Sequence, residues 1–369
     1  MGGGIIGCAI AFFLAKSGVR PLVLERGQVG GEASSGAAGM LTAQAHTDEP
    51  GPFLDLKLAS RALYEGLAVE LHDRTEIDIE YRNLGHLVAV LTDEESEAVA
   101  RRVEWQAAAG LPAVRLDAKE ARDIEPGLAP DVLGAGWFPE DHHVNNTAVT
   151  QALASATMRL GGQVRTDCAV ADLLRGGERV TGVRTMDETI STGTVILCAG
   201  AWMQQFEAAA GFPLPIVPAK GQIVVGRLEP PALRHVVYGT ETYAIPRATG
   251  EHIIGSTVEY VGYDKRVTFE GIAGILQGIT RLVPALHEAE MVASWGCLRP
   301  AAPDGLPLLG QVPGRPGLVV ATGHFRNGIL LSPITGKLIA ELLVHGKSSI
   351  SLEPFRPDRP FPAGPPPDE

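Results

Sequence analysis

The sequence has little of what membrane, secreted and nucleic-acid-binding proteins need. It contains no run of eighteen apolar residues and no basic segment ahead of an apolar one at its N-terminus, which argues against a membrane span and a signal peptide. Basic residues number 31 against 43 acidic ones, a net charge of −12, so neither nucleic acid nor an anionic membrane is an expected partner.

Cysteine is also scarce, and no two cysteines form a C-x-x-C pair. The four are Cys8, Cys168, Cys198 and Cys297. This scatter is typical of the reduced thiols of a cytoplasmic protein. His142 and His143 are adjacent and therefore poorly placed to share one metal, so no metal site is predicted and a surface turn is expected there.

The chain does have 369 residues with 45% apolar content, enough for a large core, and this length favours two domains. Its first stretch, 1–26, reads as the start of a dinucleotide-binding βαβ unit. Gly2, Gly4 and Gly7 form G-x-G-x-x-G, an apolar helix containing Ile5 and Ile6 follows, and the next strand ends in an acid. The glycines allow a tight turn and close approach of a pyrophosphate, which would lie at the helix N-terminus.

The acid at the strand end is Glu25, which comes about 20 residues after the first glycine, where a carboxylate binds the ribose hydroxyls. A glycine-rich turn without phosphate is the alternative interpretation. The strand that normally precedes the fingerprint is missing, since only Met1 comes before Gly2. We expect either a start codon assigned too late or a fragment that folds poorly.

Two further stretches of small residues favour contact with a flat cofactor. Residues 30–41 carry no bulky side chain before Met40 and lead into a helix expected over 53–72, where a flexible linker is the alternative. Residues 194–202 predict a buried strand that ends in a second glycine turn, although an ordinary βα connection has the same pattern. Between these stretches the chain alternates strands and helices, and the Pro-rich end after Pro354 is expected to be disordered.

Two arginines lie at the predicted ends of secondary-structure elements, close to proline or glycine. Arg299 follows a predicted strand and precedes a proline, and Arg326 comes just before a glycine-containing helix start at Asn327 and Gly328. A guanidinium held at a strand end can bind a carboxylate through two parallel hydrogen bonds, although most arginines are simply solvated. The helix start could stabilise negative charge on a reduced flavin.

These motifs together resemble the FAD-dependent amine and amino-acid oxidoreductases of the D-amino-acid oxidase type, and within that family the glycine oxidase group of the thiamine pathway. The resemblance covers nearly the whole chain. It rests on Gly2–Gly7, Glu25–Arg26, Ser34–Leu41, Tyr243–Arg247, Gly255–Thr257, Leu298–Pro300, Asp304–Pro307 and Gly323–Leu331. Val258 departs from the pattern, since some members carry Met there, which leaves the pocket size open.

The resemblance implies roles for individual residues. Arg299 is implied to pair with the substrate carboxylate, Tyr243 to support it, Arg326 to line the same site and Met40 to lie near the flavin ring. The implied FAD contacts are Gly2, Gly4, Ile5, Ile6, Gly7, Glu25, Arg26, Ser34, Ser35, Ala38, Gly39, Met40, Leu41, Val170, Ala199, Gly200, Trp202, His324, Arg326, Asn327, Gly328, Ile329 and Leu330. His324 is not assigned as a general base, because a packing or supporting role is the commoner one for such a histidine.

The implied chemistry is hydride transfer from the substrate α-carbon to flavin N5, hydrolysis of the imine and reoxidation of the flavin by O2 to give peroxide. A D-amino-acid or sarcosine dehydrogenase or oxidase of the same family is one alternative, and a non-catalytic dinucleotide sensor is another. Related sarcosine oxidases bond a cysteine to the flavin, so Cys297 could do the same, but the surrounding motif favours non-covalent FAD.

The predicted fold is α/β, with a doubly wound, Rossmann-like FAD-binding domain and a mixed-sheet α+β substrate domain. The expected FAD-binding segments are 1–77, 145–215 and 296–350, the substrate-domain segments are 78–144 and 216–295, and 351–369 is the tail. The expected partners are a small amino acid, O2 and further copies of the chain in a homo-oligomer.

Overall fold

The structure is a computed structural model that describes residues 1–240 and 242–362. Its α-helices are α1 Ile5–Lys16, α2 Ala33–Gly36, α3 Pro52–Arg61, α4 Tyr64–Thr75, α5 Asp93–Ala108, α6 Ala118–Ile124, α7 Asn146–Arg159, α8 Glu207–Ala210, α9 Phe269–Leu282 and α10 Gly328–His345. Short 3-10 helices span Gly200–Phe206, Pro284–Glu288, Phe325–Asn327 and Glu353–Phe355.

The strands alternate with these helices along the chain. They are β1 Leu22–Leu24, β2 Met40–Leu41, β3 His86–Val90, β4 Val114–Asp117, β5 Gly134–Phe138, β6 His142–His143, β7 Gln163–Arg165, β8 Val170–Gly176, β9 Arg179–Thr185, β10 Thr189–Ser191, β11 Val195–Leu197, β12 Val217–Arg227, β13 Val236–Tyr238, β14 Tyr243–Pro246, β15 Glu251–Gly255, β16 Glu290–Ala301, β17 Leu308–Gln311 and β18 Leu318–Thr322.

The first helix and its neighbours form the predicted parallel α/β unit. β1 pairs in parallel with β7, and β11 pairs in parallel with β18, whose other neighbour is β17. Met1 and Gly2 lie between these two sheets. The Met1 amine donates to the Ile196 carbonyl at 2.8 Å, and the Gly2 amide donates to the Leu24 carbonyl at 2.9 Å.

The long apolar helix α10 packs against α1 at the centre of this unit. It buries Leu331, Ile334 and Leu338 in a cluster shared with Ile10 and Leu14 of α1. By length and composition the helix over Phe325–His345 could cross a membrane, but 61% of its most apolar window is buried inside the protein. Its apolar residues therefore serve the core of the fold.

A second layer is one mixed sheet of eight strands in the order β16-β12-β15-β14-β13-β3-β5-β4. Its strands come from two separate stretches of the chain, 86–138 and 217–301. α9 covers one face, where Ile275 and Ile279 are buried against Val224 and Ile254. The other face packs against Ala38 and Met40 in and beside β2. The division of the chain into cofactor and substrate domains stays a prediction.

Local sequence signals account for several helix starts. Thr92 accepts a hydrogen bond from the Glu95 amide, and the Glu95 carboxylate accepts one from the Thr92 amide, which completes a capping box at α5. Asp117 and Glu120 form the same arrangement at α6, as the spacing predicts.

Three expectations are wrong in detail. His142 and His143 do not lie in a surface turn: they form β6, are 7% and 3% exposed, and pair with β2. The single helix expected over 53–72 is two helices, α3 and α4, because the chain turns at Ala62 and Leu63. Near the end of α3 the Ser60 hydroxyl donates to the Leu330 carbonyl at 2.6 Å.

The third concerns the C-terminal tail, which was expected to be disordered after Pro354. Phe355 is buried at 1% exposure. The Arg359 guanidinium donates to Asp304 at 2.6 and 2.8 Å, and this ion pair fastens the tail to the turn before β17. Residues 363–369 lie outside the described part of the chain.

Candidate active site

The glycine fingerprint forms a turn in which backbone approaches backbone. A Cβ atom at Gly7 would lie 2.0 Å from the Gly2 carbonyl oxygen, and one at Gly2 would lie 2.2 Å from the Cys198 carbonyl oxygen. Gly2 also has a φ of 99°, which side chains rarely adopt. Gly4 has no side chain to cap α1, and of the first-turn amides that of Ile5 donates to the Ser34 hydroxyl, which leaves the amides after it for a phosphate.

The predicted ribose ligand lies beside this turn. Glu25 follows β1, and its carboxylate accepts hydrogen bonds from the amides of Gly3 at 2.6 Å and Gly27 at 2.8 Å. A carboxylate has about four acceptor positions, so two remain for hydroxyl donors. Arg26 packs against Trp202, with its guanidinium carbon 3.8 Å from the ring centroid.

The small-residue stretch is ordered against α1, not a linker. The Ser34 hydroxyl accepts from the Ile5 amide at 2.9 Å, and the Asn146 side chain donates to the carbonyls of Ser34 and Ser35 at 2.7 and 3.0 Å. A Cβ at Gly39 would lie 2.1 Å from the Val144 carbonyl oxygen, so this residue must lack a side chain.

The mixed sheet presents a row of side chains on the face toward β2. Tyr238 pairs with Tyr243 across β13 and β14, Tyr243 pairs with Gly255, Gly255 with Ile223, and Ile223 with Trp295. Paired residues share a face, and so do residues two and four positions further along a strand. Arg299 and Cys297 of β16 therefore lie on the same face as the two tyrosines.

Arg299 is half-buried and held by the segment after β15. Its Nη2 donates to the Ser256 hydroxyl at 2.6 Å and its Nη1 donates to the Thr257 carbonyl at 3.1 Å. A Cβ at Gly221 would lie 2.1 Å from Nη2, so the guanidinium lies across a position kept free by glycine. Burial raises the pKa of Tyr243, which the charge of Arg299 and a hydrogen bond with Ser256 offset only in part.

Next to the tyrosines lies the turn that follows β2. The Asp141 carboxylate, 0% exposed, accepts from the amides of Ala43, Gln44 and Ala45, and so fixes this turn. The Tyr238 hydroxyl contacts the Met40 sulfur and lies 2.7 Å from the Thr42 hydroxyl.

His46 lies at the end of the same turn. Its ring lies 4.3 Å from that of Tyr238, edge to face. The side chain is exposed to solvent. Nevertheless, desolvation by the surrounding protein, together with the charges of Arg102, Arg326 and Lys57, lowers its pKa well below the usual value. The imidazole is therefore neutral near pH 7 and lies in a region of positive potential.

The start of α10 closes the site from the other side. Gly323 and Phe325 have φ values of 76° and 46°, and no side chain caps the helix. His324 is buried, donates or accepts through Nε2 to Thr335 at 3.0 Å, and has no partner for Nδ1. Burial lowers its pKa to about 3, so it is neutral. Arg326 is exposed, and its charge acts on His46, Tyr238 and Tyr243.

Cys297 is directed at the small-residue helix. Its sulfur lies 3.5 Å from the Gly36 carbonyl oxygen, and a Cβ at Gly36 would lie 2.5 Å from the Cys297 Cβ. Burial raises the pKa of the thiol, so little thiolate forms near pH 7.

The structure places Arg299, Tyr243, Met40 and Arg326 near one another, because Tyr238 contacts both Tyr243 and Met40 and the charges of both arginines act on Tyr243. Their roles in catalysis stay a prediction. Ala199 and Gly200 follow β11, where the Thr322 hydroxyl donates to the Gly200 carbonyl at 3.4 Å. Leu41, Ile329 and Leu330 are buried in the core cluster that also contains Ile5 of α1. Val170 begins β8 and packs in the cluster of Leu24.

Several site residues were missed from the sequence. Tyr238, Thr42, His46 and Ser256 have no recognisable spacing in the sequence, because β13 and the turns after β2 and β15 meet only in the folded chain. The Gly255–Thr257 motif was noted, but nothing in it shows that Ser256 and Thr257 bind a guanidinium.

The residues present fit a flavin dinucleotide. Two uncapped helix starts, a glycine turn, a carboxylate beside it and a buried imidazole nitrogen without a partner are the groups that such a ligand needs. Among residues 1–240 and 242–362, no group of three or more His, Cys, Asp or Glu side chains is arranged to hold a metal.

The comparisons with known proteins agree with this geometry. The family model "DAO: FAD dependent oxidoreductase" matches residues 1–342. The chain belongs to this family of FAD-dependent oxidoreductases, and it is an enzyme of the D-amino-acid oxidase type. The predicted α/β fold and FAD cofactor are thereby confirmed.

Glycine oxidases are among its most similar relatives. The chain is 38% identical to "Glycine oxidase" of Geobacillus kaustophilus over 96% of this chain and 94% of that protein. It superimposes on the crystal structure of glycine oxidase from that organism with a TM-score of 0.95, over 98% of both chains. It is also 37% identical to "Bifunctional protein ThiO/ThiG" of a Nostoc species, over 97% of this chain and 54% of that protein.

Proposed function

We propose that this enzyme oxidises glycine or a similarly small amine or D-amino acid to the imine and then the 2-oxo acid. The observation that carries the proposal is the Arg299 guanidinium, half-buried on the sheet face that also presents Tyr243. Its similarity to glycine oxidases supports the choice of substrate. Production of glyoxylate imine for the thiazole part of thiamine is the proposed use.

In this proposal each residue binds or orients the substrate. Arg299 binds the carboxylate through two parallel N–H donors, and Tyr243 donates its hydroxyl to the same group. The raised pKa keeps Tyr243 protonated and able to donate. Arg326 adds positive charge at the same end, and Met40 limits the space beside the α-carbon.

FAD, held by the glycine turn and the starts of α1 and α10, would supply the redox chemistry that converts the amine to the imine with O2 as the final oxidant. The substrate amine loses its proton to solvent, water hydrolyses the imine, and the products are glyoxylate, ammonia and hydrogen peroxide. His324 takes no proton in this scheme, because burial keeps its pKa at about 3.

The test is anaerobic reduction of the bound flavin by a panel of amines. Glycine, sarcosine, D-alanine and D-proline are expected to bleach it, whereas D-phenylalanine and D-arginine are not, because Tyr243 and Met40 limit the pocket. A ranking led by the bulky amino acids would move the assignment to a general D-amino-acid oxidase. No bleaching by any amine would favour the dinucleotide sensor.

Reoxidation distinguishes an oxidase from a dehydrogenase. Mixing the glycine-reduced enzyme with air-saturated buffer in a stopped-flow instrument should restore the flavin within the time of one turnover. Turnover can also be measured with an artificial electron acceptor in place of O2. If reoxidation of the flavin by O2 is much slower than that turnover, the enzyme is a dehydrogenase.

The FAD is proposed to be non-covalent, which the packing of the Cys297 thiol against Gly36 supports. Acid precipitation should therefore leave a yellow supernatant. A yellow pellet that becomes colourless in Cys297→Ser would show a thioether instead. A cytoplasmic location and a homo-oligomeric state are also proposed. The four free cysteines support the first, and native mass measurement tests the second.

A further inference from the structure

The segment 256–268, between β15 and α9, touches both the substrate anchor and the cofactor turns, and we call it the strap. At its start, Ser256 and Thr257 accept the two hydrogen bonds from Arg299 described above. Arginine has about five N–H donors, so two are used by the strap and three remain for a ligand. The position of the strap therefore fixes the plane of the guanidinium.

Glu259 holds this part of the strap in place. Its Oε1 accepts from the Thr257 hydroxyl at 2.6 Å and from the Gln222 side-chain amide at 2.7 Å. Its Oε2 pairs with Lys220 Nζ at 2.6 Å. Two backbone hydrogen bonds of 2.8 and 2.9 Å between Lys220 and Glu259 join the strap to β12.

The partners of Glu259 are more deeply buried than it is. Lys220 is 2% exposed and Gln222 is 0% exposed. The backbone amide of Gln222 donates to the Thr257 hydroxyl at 3.0 Å, which closes a ring of hydrogen bonds around Thr257. Burial would raise the pKa of Glu259, but hydrogen bonds from Lys220, Thr257 and Gln222 together lower it. The group is therefore a carboxylate near pH 7.

The other end of the strap reaches the cofactor turns. Tyr263 stacks on Trp202 with ring centroids 5.8 Å apart, and its hydroxyl donates to the Ala201 carbonyl at 3.3 Å. Lys265 pairs with Glu32 at 3.0 Å. The strap is thus fastened at both ends, and Glu259 is its anchor on the sheet.

We propose that Glu259 is a positioning residue for substrate binding: with Lys220 and Gln222 it fixes Thr257, and through Thr257 it orients the Arg299 guanidinium toward the substrate carboxylate. The inference rests on the proposed function, in which Arg299 binds that carboxylate. Without the charge of Glu259, Lys220 loses its carboxylate partner in a buried site, and the ring around Thr257 loosens.

The test compares Glu259→Gln with Glu251→Gln in the FAD-loaded enzyme. Glu251 pairs with Arg227 at 2.6 Å across β12 and β15, at the end of β12 far from Lys220. Glu251→Gln is therefore the control for the loss of a carboxylate that pairs with β12 away from Arg299. Binding of glycolate, a carboxylate without an amine, is followed by the flavin absorbance change. We expect Glu259→Gln to weaken glycolate binding and raise the glycine KM about 10- to 100-fold, the cost of a misplaced binding group.

Methylamine, which has no carboxylate, separates positioning from general damage. Its second-order rate of flavin reduction should be the same in Glu259→Gln, Glu251→Gln and the unmodified enzyme. Equal losses for glycine and methylamine would overturn the inference, and so would unchanged glycolate binding. If glycine fails to reduce even the unmodified enzyme, the proposed function itself is wrong.

A second pair of variants decides the matter if Glu259→Gln retains no flavin. Thr257→Val removes only the hydroxyl that joins Glu259 to the Arg299 contact, and Thr257→Ser retains it. Weak glycolate binding in Thr257→Val with rescue in Thr257→Ser supports the inference. Equal binding in both variants contradicts it.

Discussion

In the proposed function, Arg299 is the residue on which substrate binding depends most. Arg299→Ala should weaken glycine binding by about 2 to 5 kcal/mol, because the substrate carboxylate loses its buried partner. Arg299→Lys should restore little, since an ammonium group cannot reproduce the two parallel donors held by Ser256 and Thr257. Steady-state kinetics with glycine and methylamine measure both effects. If kcat/KM falls by the same factor for glycine and for methylamine, Arg299 does not bind the carboxylate.

A side chain at position 221 should weaken substrate binding without affecting folding. A Cβ in Gly221→Ala would overlap the Arg299 guanidinium, which is the end of a flexible side chain and can move aside. We therefore expect glycolate affinity to fall about tenfold or more, with little change in melting temperature.

Gly226→Ala on the same strand is the control for Gly221→Ala. Its Cβ would meet the Ala289 Cβ at 3.3 Å and the Ile254 Cδ1 at 3.6 Å, and it would leave Arg299 in place. Unchanged glycolate binding in Gly221→Ala would show that the guanidinium does not lie as described.

Burial of the charged Lys57 ammonium destabilises the folded protein, and this cost depends on pH. The residue is 4% exposed, its ammonium donates to Thr47, and burial lowers its pKa to about 8 from 10.5. Between these pH values the unfolded chain binds the proton that the native state has released, so the stability contributed by this group rises with pH.

Lys57→Met removes that penalty. It should raise the free energy of unfolding by about 1 to 3 kcal/mol at pH 7, with the gain shrinking as pH rises toward 10.5. Urea unfolding at several pH values measures the difference between the variant and the unmodified protein. A gain that is the same at all pH values would contradict this explanation.

At the scale of elements, the contact between α1 and α10 sets the geometry of the cofactor site. A Cβ at Gly336 of α10 would lie 2.8 Å from the Ala9 backbone, so Gly336→Ala should separate the helices and destabilise the protein by about 1 to 3 kcal/mol.

Gly66 of α4 is the control for Gly336. It is exposed with nothing near its Cβ position, and Gly66→Ala should stabilise the protein by about 0.5 to 1 kcal/mol. Thermal unfolding tests both signs, and a stabilising Gly336→Ala would refute the close contact.

Elements with local signals were predictable from the sequence. Thr92 and Asp117 mark the starts of α5 and α6 because each capping box is complete within four residues. The strand β17 has little local strand signal, because Gly305 and Pro307 precede it and Gly310 lies within it. β6 was misread for the same reason: two adjacent histidines have no strand pattern, and only pairing with β2 buries them.

At the scale of the whole molecule, the site depends on contacts that no local pattern encodes. Arg299 and Tyr243 could be assigned because they lie in family motifs. Their supports could not, because Gly221 and Ser256 meet Arg299, and Glu259 meets Thr257, only after β12, β15 and β16 pair. The face on which they lie follows from the register of three strands, and a shift of one residue would turn these side chains away.

The net charge of the whole molecule leads to the last prediction. At −12 the protein repels anions over distances comparable to the Debye length, about 10 Å at 0.1 M salt. Glycine near pH 7 is a zwitterion with no net charge, so long-range steering should neither hasten nor slow its approach. We therefore expect kcat/KM for glycine to change less than about twofold between low and 0.5 M NaCl. Oxygen-consumption assays at fixed pH measure it. A severalfold fall with salt would mean that the positive potential around His46 attracts the carboxylate from a distance, and that binding is not set by short-range contacts with Arg299 alone.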